Sequence, residues 1–437
     1  MSLGRPFRAL WASSASSNLA DGVAFISMPL LAASITDDPR LVAGLATTYA
    51  LVRLLVALPI GVWVDRVDRR TLLIGANLIR GLVVIALAVS LQLELGTLPL
   101  LYAVFAVIGT LESAADNASV SLLPSIVPTE QLDRANGRIS AAQLIADEFA
   151  GPPLGGLVFA VAAAAPMYLI GGLWAAAGLL ALALPIRWFG VGSGTEPALR
   201  EPAVLKAMQG ARWLVKNRTV GGLALIGALA SVGYMLPFSI LVLFAGQRLN
   251  LDAVGYGLIL AISALGGLIG SFTTARVRGW IGYRCTIVAS LLTGAAALLA
   301  LSLTTNAGVA AVLLAVYILH AVVWGICANS LRQRLVPDAL RGRVNAASRV
   351  LSLVGLALGS ALGGILALVS LSLPIAVGGL VFIGCAMLAA VVIHPQREHD
   401  GAVPDRVTTA SRPCHGCARE SRQQTHEYPH RNQGPRG

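Results

Sequence analysis

Apolar runs of about twenty residues alternate with short polar breaks along most of the chain, starting near Leu10. A helix built from one such run is long enough to cross the roughly 30 Å hydrocarbon core of a bilayer. Windows of about nineteen residues predict spans at 9–33, 41–64, 71–93, 97–123, 138–161 and 166–188. A second set follows at 219–245, 253–275, 285–304, 308–330, 344–369 and 373–394. Between the sets, within 190–218, Pro202–Arg218 carries Val204, Leu205, Met208, Ala211 and Trp213 among basic residues, the pattern of an amphipathic helix. The pattern therefore predicts an all-α membrane protein of twelve transmembrane helices. Its parts are a bundle over 1–189, a linker over 190–218, a bundle over 219–395 and a polar tail over 396–437.

Composition sharpens this picture. Of the 437 residues, 56% are hydrophobic and only 12% charged, against about 25% charged in a soluble domain. A water-facing surface cannot be made from that, so a soluble enzyme is excluded. The net charge of +11 could point to nucleic acid, but the placement of the basic residues argues otherwise. With both termini in the cytoplasm, every Lys and Arg except Arg40, Arg53, Arg80 and Arg248 falls on a cytoplasmic segment. That is the bias of inserted proteins, and it predicts a multi-pass protein of the cell membrane with no nucleic-acid partner. The first apolar run lacks a small-residue cleavage site and reads as a retained helix. Cys285, Cys327 and Cys385 sit in apolar segments and show no disulfide framework. Cys414-His-Gly-Cys417 has the inner spacing of a zinc site without a second pair, so the tail reads as solvated, with no metal and no cofactor.

The two sets of spans echo each other at an offset of about 209 residues. "PTEQLDRAN" from Pro128 to Asn136 has the spacing of "PDALRGRVN" from Pro337 to Asn345, and "GPPLGG" at 151–156 is echoed by "GSALGG" at 359–364. Gly61 falls opposite Gly270. Six-helix repeats of this kind form transporters with a site near the midplane between the halves, so the two bundles are expected to be pseudo-symmetric.

Between spans two and three stands a knot of charge, "GVWVDRVDRR". Gly61, Asp65, Arg66, Arg69 and Arg70 resemble the loop signature of the major facilitator superfamily, with Asp68 in place of its usual glycine. The resemblance covers roughly residues 5–395 and is nearest to the macrolide-efflux and enterobactin-exporter-like branch. It implies that Asp65 latches the two halves in the outward-open state while the arginines set topology. Thr274 stands opposite Asp65, so the second half has lost the knot. In span five, Gly151, Pro152, Gly155 and Gly156 resemble the end of the antiporter motif of drug exporters, although Arg138 and Asp147 occupy the positions of its upstream glycines.

Ionisable groups inside spans cost about 2.5–3.5 kcal/mol each on insertion scales and mark substrate or proton paths. Here they are Asp21, Arg53, Arg80, Glu112, Asp116, Asp147 and Glu148 in the first half and His320 in the second. At a helical rise of about 1.5 Å per residue, Asp21 and Arg53 lie at similar depth and are expected as partners. Glu112 and Asp116 share a helix face, with Arg80 as the candidate counter-ion, and His320 suits proton relay. Tyr234, Met235, Pro237 and Phe238 offer apolar contacts to a cargo. No phosphate-cradling loop occurs in the chain, which leaves an ion gradient as the energy source.

The expectation is a monomeric, proton-coupled exporter of an amphipathic small molecule, a drug such as a macrolide or a siderophore. Its other partners are protons and the lipid bilayer, and no enzymatic reaction is expected. Import of a nutrient or lipid would use the same deep carboxylate, and a non-transporting sensor would keep the same fold.

Overall fold

A computed structural model describes residues 3–64, 67–185 and 203–393. Asp65, Arg66 and the Cys414–Cys417 segment lie outside these residues, as does the side chain of Glu148. The chain folds into α1 (Gly4–Ile35), α2 (Pro39–Val64), α3 (Arg69–Gln92), α4 (Leu98–Ile126) and α5 (Leu132–Gln143). A π-helical turn, Leu144–Ala150, joins α5 to α6 (Gly151–Val161), and α7 (Ala165–Ala181) follows. Then come α8 (Ala203–Lys216), α9 (Arg218–Phe238), α10 (Leu241–Gln247), α11 (Ala253–Leu303), α12 (Ala307–Leu335), α13 (Asp338–Ala367) and α14 (Leu373–Val392).

Local chemistry sets the boundaries. Asp68, Asn217, Asp252 and Asn306 each accept a hydrogen bond from a backbone N–H of the helix they precede, which satisfies a donor left over at the first turn. Pro at the first turn opens α4, α7 and α14.

Four predicted spans differ in detail. The span at 138–161 is not one α-helix, because the π turn interrupts it just before Pro152 and Pro153. Proline has no N–H to give and its ring crowds the preceding turn of an α-helix, which a wider turn relieves. The span at 219–245 ends as α9 at Phe238 and resumes as α10 after Ile240. The spans at 253–275 and 285–304 run almost without a loop, since Gly282 reverses the chain by itself at φ 74°, ψ 171°, a conformation open chiefly to glycine. Gly266 and Gly270 lie against Ala315 and Leu319, while Gly294 lies against His320. Residues 253–281 therefore run parallel to α12 and residues 283–303 run back. With α11 making two passes and α7 supplying a short one, the described residues contain the twelve predicted crossings.

The internal repeat is visible in the backbone. α4 and α12 both have 29 residues, and each closes on a Val–Pro step of matching conformation. Pro128 has φ −57°, ψ 147° and Pro337 has φ −55°, ψ 143°.

Ends of the helices gather on two faces. One, here called the basic face, carries the starts of α1 and α3, the ends of α4, α7 and α12, and Gly282. Arg70 donates to the Leu182 carbonyl at the end of α7 (2.7 Å), and Arg284 to the Ala390 carbonyl near the end of α14 (2.7 Å). α8 lies on this face, with Leu214 packed among Val220, Ala224, Val336, Val344 and Ala347. On the opposite face α2 packs on α13 and α6 on α11. There Gly364 meets Pro39, Arg40 and Ala43, Gly156 meets Ala253, and Thr47 and Ser360 share a hydrogen bond of 2.8 Å. In the first turn of α2, the Arg40 side chain bonds Asp38 of the preceding loop and holds its carboxyl below the usual carboxylate range.

Candidate functional site

Two polar clusters are set into the apolar bundle of the first half. In one, Arg80 of α3 is 1% exposed and its guanidinium forks among three oxygens. It donates to Asp21 Oδ1 (3.2 Å), Ser17 Oγ (2.9 Å) and Asn77 Oδ1 (2.6 Å). The Trp174 ring covers it at 4.7 Å from the ring centroid to Cζ, a cation–π contact that gains strength where water is excluded. In the other, Tyr49 and Arg53 of α2 converge on Glu112 of α4. Arg53 donates to Glu112 Oε1 (2.8 Å) and to the Tyr49 hydroxyl (2.7 Å), while that hydroxyl donates to Glu112 Oε2 (2.5 Å).

The partners are therefore exchanged relative to the depth estimate: Asp21 pairs with Arg80, and Arg53 with Glu112. Depth along a helix follows from the sequence, but rotation about its axis does not, and rotation decides which neighbour is met. Ser17, Asn77 and Tyr49 were missed by the sequence reasoning. Each stands three or four residues before its charged neighbour, on the same helix face, so spacing alone was the signal. Asp116 opens into a small space lined also by Ser14, Ser17, Asn18 and Asn77.

Two cavities share Tyr234 and Ala321 in their linings, one between the halves and one within the second half. One, of about 370 Å³, is bounded by Phe25, Asp147 and Pro152 from the first half and by Tyr234, Phe238 and Ser263 from the second. The other, of about 530 Å³, runs along α9, α12 and α13 towards the basic face, past Trp324, Asn329, Arg332, Asn345 and Arg349. An aromatic stack walls their junction: Tyr234 on Phe238 at 4.5 Å and Phe238 on Tyr317 at 6.0 Å. Of the apolar residues expected to meet a cargo, Tyr234 and Phe238 line a cavity. Met235 instead packs at Gly359 of α13 and Pro237 at Gly378 of α14.

His320 lies away from the acids. It is 1% exposed, packed between Tyr317 and Phe382, with Nδ1 against the Tyr317 carbonyl and its ring filling the space above Gly294. At the repeat offset given by the ends of α4 and α12, Glu112 falls opposite Ala321 and Asp116 opposite Gly325. The second half thus lines the cavity with small residues where the first carries acids.

The described residues of the charged loop and the glycines of span five make close contacts with neighbouring helices. Asp68 caps α3 by accepting from Thr71 N (2.8 Å) and Thr71 Oγ1 (2.9 Å). Arg69 donates to the Ser121 carbonyl of α4 (3.1 Å), so both described arginines of the loop meet carbonyl oxygens near helix ends, where a cation is favoured. Gly61 belongs to α2. Gly151 and Gly155 let α6 approach α1 at Gly22, Val23 and Ile26, whereas Gly156 faces α11 across the halves.

Comparison with known proteins bears on this arrangement. Residues 10–352 match the model of the Major Facilitator Superfamily. The enterobactin exporter EntS of Escherichia coli O1:K1 / APEC is 26% identical over 361 residues, covering 82% of this chain and 84% of that protein. Among solved structures, a bacterial homologue of the iron transporter ferroportin in the inward-facing state superposes with a TM-score of 0.67 at 19% identity, covering 88% of this chain and all of the other. The nucleoside transporter NupG superposes with a TM-score of 0.65 at 13% identity, over 90% and 98% of the two chains. The family match spans most of the chain, and the fold of these transporters is the one described above. The chain is a multi-pass membrane transporter of the major facilitator superfamily.

Proposed function

We propose that this transporter is a secondary active exporter, moving an amphipathic small molecule out of the cytoplasm in exchange for protons. One observation carries the reading: inside the apolar spans Asp21 is paired with Arg80 and Glu112 with Arg53, and Asp116 opens into the small polar space beside Ser17 and Asn77. Charges placed there cost insertion energy that packing alone does not require. Carboxylates near one another and near arginines can exchange protons as the arginines re-pair. The basic face is taken as cytoplasmic on the positive-inside bias, and the start of α1 and the end of α14 lie there. The cavity then opens inward and is closed outward by the α2–α13 and α6–α11 contacts. Apolar and aromatic walls suit an amphipathic cargo. The similarity to an enterobactin exporter supports outward movement and, with the aromatic lining, cargoes of the siderophore or macrolide kind.

Purified protein in vesicles with an imposed pH gradient tests this directly. Proton-driven flux of a fluorescent amphiphile is expected in the native protein and is expected to be lost in Glu112→Gln, which keeps the shape of the Tyr49–Arg53 cluster. Flux that ignores the pH gradient, or that survives in Glu112→Gln, removes proton coupling through this cluster.

A further inference from the structure

A groove of about 550 Å³ opens on the outside of the second half, larger than either of the two cavities above. Three helices form it. α9 contributes Arg218, Gly221, Leu225 and Ala228, α13 contributes Ala347 and Leu351, and α8 contributes Met208, Ala211 and Val215. On each helix these positions recur every three or four residues, so each turns one stripe to the groove.

The groove has two unlike ends. Ten residues separate Arg218 from Ala228, which at about 1.5 Å per residue is about 15 Å. That is one leaflet's share of the roughly 30 Å hydrocarbon core, the depth that one acyl chain reaches. Over this length the lining is apolar, and Leu225 and Leu351 stay exposed. Gly221, Ala228 and Ala347 carry too little side chain to fill it.

At the basic face α8 closes the groove. The inner side of this helix is fixed: Leu214 is buried, and Gly210 rests against the Arg343 carbonyl of α13. Its other apolar stripe is left uncovered, and Val215 is 88% exposed. Beside that stripe stand Arg212 and Lys216, four apart on α8 and both exposed, and Arg218 opens α9 two residues later. None of the described residues that line the groove is acidic. Nor can the polar tail fill it, since residues 396–437 hold no Leu, Ile, Met, Phe or Trp.

An apolar slot one leaflet deep with a basic mouth fits a phospholipid with an anionic headgroup. A headgroup without net charge leaves the cations unmet, and a soluble phosphate leaves the slot empty. Basic pockets between membrane-spanning helices on the cytoplasmic side hold anionic headgroups. We infer that the groove between α8, α9 and α13 binds an anionic phospholipid, its headgroup at Arg212, Lys216 and Arg218 and one acyl chain along α9 and α13. The assignment rests on neither the cargo nor the coupling ion proposed above.

Native mass spectrometry tests it, on the purified full-length protein offered equal amounts of dioleoyl-phosphatidylglycerol and dioleoyl-phosphatidylcholine. The native protein is expected to retain the anionic lipid about tenfold more. Arg212→Gln/Lys216→Gln/Arg218→Gln is expected to bring its retention down to that of the choline lipid. Arg5→Gln/Arg8→Gln/Arg276→Gln removes three other exposed charges and is expected to leave the preference unchanged. Ala211→Phe, which fills the groove from an exposed position on α8, is expected to weaken both lipids severalfold. Equal retention of the two lipids by the native protein overturns the site. So does an equal loss in both charge variants, because charge spread over the face then suffices. Retention that is unchanged in Ala211→Phe places the lipid elsewhere and overturns it too. A protein that retains neither lipid and runs as a dimer gives the groove to a second copy instead.

Discussion

Arg80 is held by what surrounds it more than by any one partner. Its fork meets a carboxylate, a hydroxyl and an amide at once, and an indole covers its face. A lysine there would be a point charge unable to reach all three. Removing one member of a buried pair leaves the other charge uncompensated, at a cost of about 3–5 kcal/mol. Arg80→Met is therefore expected to lower the melting temperature of the purified protein in detergent sharply. Asp21→Asn/Arg80→Met is expected to recover most of the loss, because no charge is then stranded; a double variant as unstable as the single one would show that Arg80 acts through packing alone. At the edge of the same helix, Asp68→Ala should cost about 1 kcal/mol, the ordinary worth of an N-cap, read in the same melt. The residue types of these clusters were legible in the sequence, because a charge in an apolar run stands out. Their pairing was not, since it depends on helix rotation.

Among the helices, the π turn is the feature whose consequences reach furthest. Its presence was half legible. The two glycine motifs are 208 apart and the two Pro–Asn loops 209, a mismatch of one residue that alignment of the halves exposes, but nothing in the residues alone tells whether a loop or a helix absorbs it. The structure places it inside the membrane-spanning segment, before Pro152. Deleting Ile145, which is 61% exposed, should restore an α-helix through this stretch. Asp147 would then be pressed against α1 where the second half has Gly355. The deletion alone is expected to lower thermal stability, and adding Asp147→Gly, which copies the second half, is expected to restore it. If the added glycine gives no recovery in the melting curve, the π turn has a role in folding that the register argument does not capture. The predicted helix ends fared well where caps or prolines mark them. They fared less well at Gly282 and Ile240, where one or two residues break a run that hydropathy alone reads as a longer gap or as no gap.

For the molecule as a whole, the most informative positions are the two glycines at which the halves touch opposite the basic face. Gly156 and Gly364 are echoes of each other in the repeat, and each meets the start of a helix in the other half, α11 for the first and α2 for the second. A Cβ on Gly364 would lie 2.9 Å from Arg40 Cα and 3.0 Å from the Pro39 carbonyl oxygen, and one on Gly156 would run into the Ala253 carbonyl. These atoms belong to backbone and cannot swing aside, so a larger side chain must part the halves at this face. In a transporter whose halves rock about a central cavity, that strain falls on the state in which the halves touch at this face. Gly156→Val and Gly364→Val should thus shift the population towards the opposite state without disturbing either half internally. A cysteine placed at Ser263, in the cavity wall, reports the shift, with membrane-impermeant maleimide added from each side of the bilayer. Labelling from the basic face should fall severalfold in both variants and labelling from the other face should rise. Because the two glycines stand at separate contacts related by the repeat, both must act in the same direction. A change in one variant only would mean that the halves move by bending at a single contact rather than by rocking as units.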